Sequence, residues 1–197
     1  MPQITAANAL KIGVDVPWVV SWSAETPAGI GPCPTIDGQM AALQKWAPGS
    51  GEPLYAKNHL RRQRDSVRAM LCPMCGKITP RRDRWTQTGR FVPAGVLRAR
   101  GFAEALPADL DDARVLLDVG AIAPLHRTCA EAAQRDCPDL NSRPDQELKE
   151  FPLAWVVVPL YAQAQDIGRT IAVVTFLQLV GVTEASDENW REQLPQG

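Results

Sequence analysis

Leu71-Cys72-Pro73-Met74-Cys75-Gly76 is the stretch on which the reading of this chain turns. Two thiols two residues apart, with proline between them and glycine just after, can close a tight knuckle whose backbone amides point at bound thiolates, which is a metal clip. Further along, His126-Arg127-Thr128-Cys129 offers a second pair with three-residue spacing, at what reads as the first turn of a helix. Cys72, Cys75 and Cys129 are three ligands, and the fourth is His126 or Cys137. Distance separates these two. Cys129 and Cys137 are eight positions apart, about 12 Å of rise in a continuous helix, whereas two sulfurs at about 2.3 Å from one zinc are at most about 4.6 Å apart. His126 can share the face of Cys129 at the helix start, where the positive end of the dipole also favours thiolate. The expected ligands are therefore Cys72, Cys75, His126 and Cys129 on zinc, with Cys137 a buried helix residue. Knuckle first and helix-borne pair second is the order of a treble-clef site, and four protein ligands leave no position for water, so the metal is expected to be structural. Against this stands the plain alternative that these are core cysteines and a chance histidine. Cys33 reads as a small buried hydrophobe.

The charge is unevenly distributed. The whole chain carries −1, but residues 57–100 carry +10 between flanks of −2 (1–56) and −9 (101–197). Two readings follow: the basic segment is neutralised by packing on the acidic parts, or it forms a positive face for an anionic partner. On the second reading Arg61, Arg62 and Arg64 on a helix before Cys72, with Arg81, Arg82 and Arg84 after Cys75, contact nucleic acid, and Trp85 stacks on a base.

The run His59-Leu60-Arg61-Arg62-Gln63-Arg64 leading into the Cys72 knuckle, followed by Pro124-Leu125-His126-Arg127-Thr128-Cys129-Ala130, resembles a family of uncharacterised actinobacterial and actinophage proteins, over roughly Lys57 to Leu140. The resemblance implies no activity. It leaves open whether that family places histidine or cysteine at position 126.

Around this centre the pattern predicts an α+β protein in three segments: an N-terminal strand and helix (1–56), a zinc-binding core with its basic helix (57–140), and an apolar strand pair with a polar tail (141–197). A strand is expected from about Trp18 to Ser23, and a helix from Asp37 to Trp46 on the recurrence of Met40, Leu43 and Trp46. A second helix is expected over Ala56–Leu71, with Leu60, Val67 and Leu71 on one side. A hairpin over Arg84–Val92 turns at Thr88-Gly89. Asp109–Leu117 reads equally as helix start or strand. A third helix runs over Arg127–Asp136, stopped by Pro138. Leu153–Tyr161 and Ile171–Val182 read as paired strands, with two buried helices as the alternative, and Ser186–Gly197 as a frayed tail.

Five cysteines, an odd number including one close pair, suit metal ligation in a reducing compartment better than a disulfide frame. The first residues lack the pattern of a secretion signal, and neither apolar run reaches the roughly 20 residues of a membrane span. The cytoplasm is the expected location. Catalysis finds little support. No His-x-Glu motif precedes the thiol pair, as a zinc deaminase requires, no histidine lies between the ligand pairs, and His59 has Asp65 as its nearest following carboxylate, off its face. The expectation is a zinc-stabilised binding protein that contacts nucleic acid through its basic centre. The alternative is a protein-interaction adaptor anchored by Trp18, Trp22, Trp46, Trp155 or Trp190, with an enzyme a weaker third reading. Its oligomeric state is left open.

Overall fold

A computed structural model describes residues 10–137, 148–152, 154–166 and 168–182. The expected polar tail, Trp190 and most of the expected linker Asn141–Glu150 lie outside them. The fold is built on β10 (Arg169–Val182), a long strand that pairs along its whole length with β9 (Ala154–Asp166) in an antiparallel hairpin. Val, Ile and Leu make up half of β10 and face the Val156–Val158 run and Leu160 of β9, and Gly168 at φ +75° serves the turn between the strands. This is the expected strand pair.

The other edge of β10 is shared. β3 (Met40–Gln44) joins it in parallel at Val174, and β7 (Val115–Gly120) joins it antiparallel at Leu179–Gly181. β2 (Pro27–Pro32) extends the sheet beyond β3, and β6 (Arg90–Pro93) extends it beyond β7. All three segments of the chain thus supply strands to one sheet. A separate ribbon is formed by β1 (Val20–Trp22) with β4 (Pro53–Asn58), and a small one by β5 (Trp85–Thr86) with β8 (Lys149–Glu150).

Alternation along β7 and β10 puts the sheet between two cores. Leu117 and Leu179 face a cluster with Ile36, Val67, Met70 and Phe151, whereas Leu116 and Val180 face Leu97, Phe102 and Leu106. The second cluster comes from α2 (Ala94–Leu97) and the irregular helical turns that follow it to Ala105. The first lies beneath α1 (Leu60–Ala69).

The buried side of α1 differs from the apolar stripe expected of it. Its buried residues are Arg62, Gln63, Arg64, Ser66 and Val67. The reason lies in the sheet. Between Val174, where β3 pairs, and Leu179, where β7 begins, β10 has no strand on that edge, and α1 supplies the missing bonds. The Gln63 amide nitrogen donates to Leu177 O and Ala121 O (2.7 and 2.8 Å), and its oxygen accepts from Leu177 N–H (3.0 Å). Arg64 donates to Thr175 O and Ala42 O (2.8 and 3.2 Å). Two polar side chains fill a gap in the sheet.

Three expected elements change. The helix over Asp37–Trp46 is instead strand β3 after a 3-10 turn at Pro34–Ile36. Asp37 sits at φ 56°, the left-handed region, whereas an N-cap needs extended geometry. The helix over Ala56–Leu71 begins only at Leu60, because β4 holds the chain extended to Asn58 and His59 caps the helix. The hairpin over Arg84–Val92 does not form. β5 pairs with β8 and β6 with β7, while Thr88 donates to Val119 O (3.1 Å) and Gln87 to Ala130 O in the link between them. The open choice over Asp109–Leu117 resolves as strand β7 from Val115. Helix α3 covers Arg127–Asp136 as expected. Among the described residues no helix is long and apolar enough to cross a membrane.

Candidate metal centre

Helix α1 ends at Met70, in the left-handed conformation that closes a helix C-terminus. The chain then folds tightly back on itself. Cys72 N–H donates to Lys77 O and Gly76 N–H to Cys72 O (both 2.8 Å), and Thr79 bonds Met70 O through both its backbone and its hydroxyl (2.8 Å each). This is the expected knuckle, and the backbone N–H groups of Cys75, His126 and Met74 point at the Cys72 sulfur. Gly76 adopts φ +73°, and a Cβ there would stand 2.7 Å from the Trp18 indole, so glycine is required twice over. The N-terminal segment seals the outside: Trp18 and Val19 donate their N–H groups to Met74 O (2.8 Å) and Pro73 O (2.9 Å).

The second pair arrives on α3. His126 is its N-cap residue and Cys129 lies in its first turn. Asp83 accepts the Arg127 N–H at 2.8 Å and so caps the helix from the segment that follows the knuckle. A two-way backbone bridge between Trp85 and Leu125 (2.9 Å each) ties that segment to the approach of α3. The Arg127 guanidinium lies 4.9 Å over the Trp85 ring.

These supports bring one ligand atom each from Cys72, Cys75, His126 and Cys129 within 4.8 Å of one another. The imidazole is oriented. His126 Nε2 donates to Ile78 O at 3.1 Å, which leaves Nδ1 facing the sulfurs of Cys75 and Cys129 at 3.5 and 3.9 Å. A backbone carbonyl on the outer nitrogen is the usual device for presenting the inner one to a metal. Cys72 is fully buried, while the other three are half-buried. Burial pushes the Cys72 thiol up, against the pull of the surrounding N–H groups. Burial and the two neighbouring sulfurs push Cys129 up to about 12. Two thiols whose ionisation burial opposes, gathered with a third sulfur and an imidazole nitrogen, are a suitable surrounding for a cation that takes thiolate ligands. The four groups could hold a metal ion. Cys137 stands outside the cluster, half-buried at the C-terminal end of α3 rather than buried within it. Cys33 is buried in the main core.

No protein-family model, curated protein or solved structure matches the chain.

The six arginines expected at a nucleic acid are not brought together. Arg62 and Arg64 are each 1 % exposed. Arg62 donates to both oxygens of the buried Glu25 (2.8 and 2.7 Å) and to Val20 O (2.6 Å). Arg64 completes the sheet. A phosphate cannot reach either one. Arg61 is exposed but lies near Asp65 (3.5 Å) and against Trp46. Arg84 turns inward, bonding Thr79 O (3.0 Å) with its guanidinium over Trp155. Arg81 and Arg82 are exposed on the metal lobe, as are Lys77 and Arg127.

Elsewhere the basic segment is matched by carboxylates from outside it. Arg68 pairs with Asp37, Arg98 with Asp112 and Arg100 with Asp118. With Arg62 on Glu25, carboxylates from outside the segment pair four of its twelve basic side chains. His59 is fully buried, donating from Nε2 to Lys45 O (3.1 Å) and accepting the Arg62 N–H at Nδ1 (3.3 Å). With both nitrogens occupied, it has none left for a substrate. Of the tryptophans weighed as partner anchors, Trp22 is core, Trp18 and Trp155 are half-buried, and Trp46 is exposed.

Residue types and spacing gave no notice of Ile78, Asp83 or Trp18 as supports of the centre. Two of them act through backbone or ring packing, and Asp83 is one carboxylate among many. Gly76, directly after the second thiol, was the one visible signal.

Proposed function

We propose that the chain is a structural-zinc protein that acts by binding, and that its metal lobe has the treble-clef arrangement of a knuckle followed by a helix-borne pair. The observation that carries this reading is the donor set: three sulfurs and a His126 ring nitrogen within 4.8 Å of one another, with the outer nitrogen held by Ile78 O. Three sulfurs and one nitrogen suit zinc, and four protein ligands leave no coordination site for water or substrate. Zinc would join the end of α1, the start of α3 and the N-terminal segment into one lobe.

The partner best supported is an anionic polymer, nucleic acid first. Arg62 and Arg64 are buried, but Lys77, Arg81, Arg82 and Arg127 are exposed around the centre, with Arg127 in an ion pair to Glu131 at 3.0 Å. A gel-shift series on the zinc-loaded protein with single- and double-stranded DNA and RNA tests it. Affinity should fall steeply with salt, and Arg81→Glu with Arg82→Glu should weaken binding across sequences while lowering the salt slope. Binding that is absent, or indifferent to salt and to both substitutions, ends the nucleic-acid reading. A partner retained from nuclease-treated lysate would replace it with the adaptor reading.

A further inference from the structure

The metal lobe leaves another part of the molecule unexplained. Between the β1–β4 ribbon and the β2–β3 end of the main sheet lies a groove of about 790 Å³, within the range of about 300–1,000 Å³ usual for small-ligand sites. Ile30 and Leu43 line it from the sheet and Leu54 and Ala56 from the ribbon, with Leu60 of α1 and Phe176 of β10 also exposed to it.

Most of its polar lining is already engaged. Gln44 donates to Ser21 Oγ and Glu25 O (both 2.6 Å) and accepts from Leu60 N–H (3.0 Å). Ser23 Oγ accepts from Glu52 N–H at 3.0 Å. The Glu25 carboxylate belongs to Arg62. Three polar side chains are left over, the neutral hydroxyl of Thr26 and two on β4. Lys57 and Asn58, consecutive on β4, both line the groove, and among the described residues neither side chain makes a hydrogen bond or an ion pair.

We infer that this groove binds an amphipathic carboxylate: an aliphatic body packed against Ile30, Leu43, Leu54 and Phe176, its head taken by the Lys57 ammonium and the Asn58 amide. The engaged polar groups leave the apolar walls to select the body. The one uncompensated charge at the site is positive, and it selects an anion over a neutral head. The inference is independent of the metal centre and of its proposed partner.

The test is calorimetric titration of the full, metal-loaded chain with monomeric decanoate and with decanol. Decanoate should bind one to one, at least about tenfold tighter than decanol, a difference of about 1.4 kcal/mol. Lys57→Glu and the milder Lys57→Met should each remove that preference while leaving decanol binding unchanged. Ala56→Trp, at an exposed strand position that tolerates an aromatic, should fill the groove and abolish both. Metal content and circular dichroism equal to wild type identify the variants that have folded. No binding of decanoate, equal binding of decanol, or a wild-type response in folded Lys57→Met or Ala56→Trp would overturn the inference.

Discussion

At the scale of single residues, the centre depends on which nitrogen of His126 faces the sulfurs. His126→Ala should lower zinc affinity by orders of magnitude, because it opens the fourth position to water, whereas Cys137→Ser should leave stoichiometry at one. A competition titration against a chromogenic chelator reads both. The clustering of Cys72, Cys75, His126 and Cys129 was legible from spacing: two short-range pairs, with a helix that carries Cys137 too far away. The choice of Nδ1 was not, because it depends on a carbonyl 48 positions earlier in the chain. Burial of the arginines was equally invisible, since nothing in Arg61-Arg62-Gln63-Arg64 says which of them meet a carboxylate from β1–β2 and a broken strand edge. The Glu25–Arg62–His59 cluster has its own consequence. Burial holds the His59 imidazole below its ordinary 6.5. Burial alone would raise the Glu25 carboxyl, but hydrogen bonds from Arg62 and Trp22 N–H outweigh it and hold the group below 4.5. Both folded values lie below the unfolded ones, so the unfolded chain takes up protons first on acidification. The stability from His59 is complete above about pH 6.5 and falls below it, and that from Glu25 begins to fall below about 4.5. His59→Gln should cost about 1 kcal/mol at neutral pH through its weakened cap, and should flatten the decline between pH 6.5 and 5 in urea melts. The metal ligands, common to both proteins, cancel in the comparison.

At the scale of elements, α1 has two unlike duties: its polar side chains complete the sheet and its C-terminus delivers the chain into the knuckle. Gln63 occupies the gap on β10 with every polar atom used, so Gln63→Leu leaves Leu177 N–H and O without partners in a buried place. At about 1–3 kcal/mol for each orphaned group, denaturant melts should show a loss of about 2–6 kcal/mol, with metal stoichiometry unchanged. A loss below about 0.5 kcal/mol would mean that the gap closes by other means. Composition made β9, β10 and α3 legible: Val and Ile content marks the strand pair, and the helix propensity of Thr128–Gln134 with Pro138 beyond it marks α3. Periodicity points the wrong way where three apolar residues at helical spacing, Met40, Leu43 and Trp46, fall on or just after a short strand held by β2 and β10. Strand pairing between Thr86 and Lys149, or Arg90 and Asp118, is a long-range outcome that a local turn signal at Thr88-Gly89 could not anticipate.

At the scale of the whole molecule, the sheet is one body and the metal lobe is fastened beside it. The lobe's own apolar cluster is small, with Cys72, Leu125 and Ala130 as its buried members. Such a cluster supplies little stability by itself, so on the proposed zinc reading metal removal should loosen the lobe while leaving the β9–β10 sheet in place. The opposition of a basic middle and acidic flanks was visible in the sequence as a choice between neutralisation and display. Ion pairs to Glu25, Asp37, Asp112 and Asp118 take up four of the twelve basic side chains, and Lys77, Arg81 and Arg82 stay exposed on the lobe that carries the cysteine and histidine cluster. The measurement that reaches the centre of the account is zinc-edge X-ray absorption on the purified, stoichiometrically loaded chain. It should show one zinc per chain with three sulfurs at about 2.3 Å and one nitrogen at about 2.0–2.1 Å. A chain that purifies without metal and does not take it up, or a shell containing water oxygen in place of the His126 nitrogen, would contradict it.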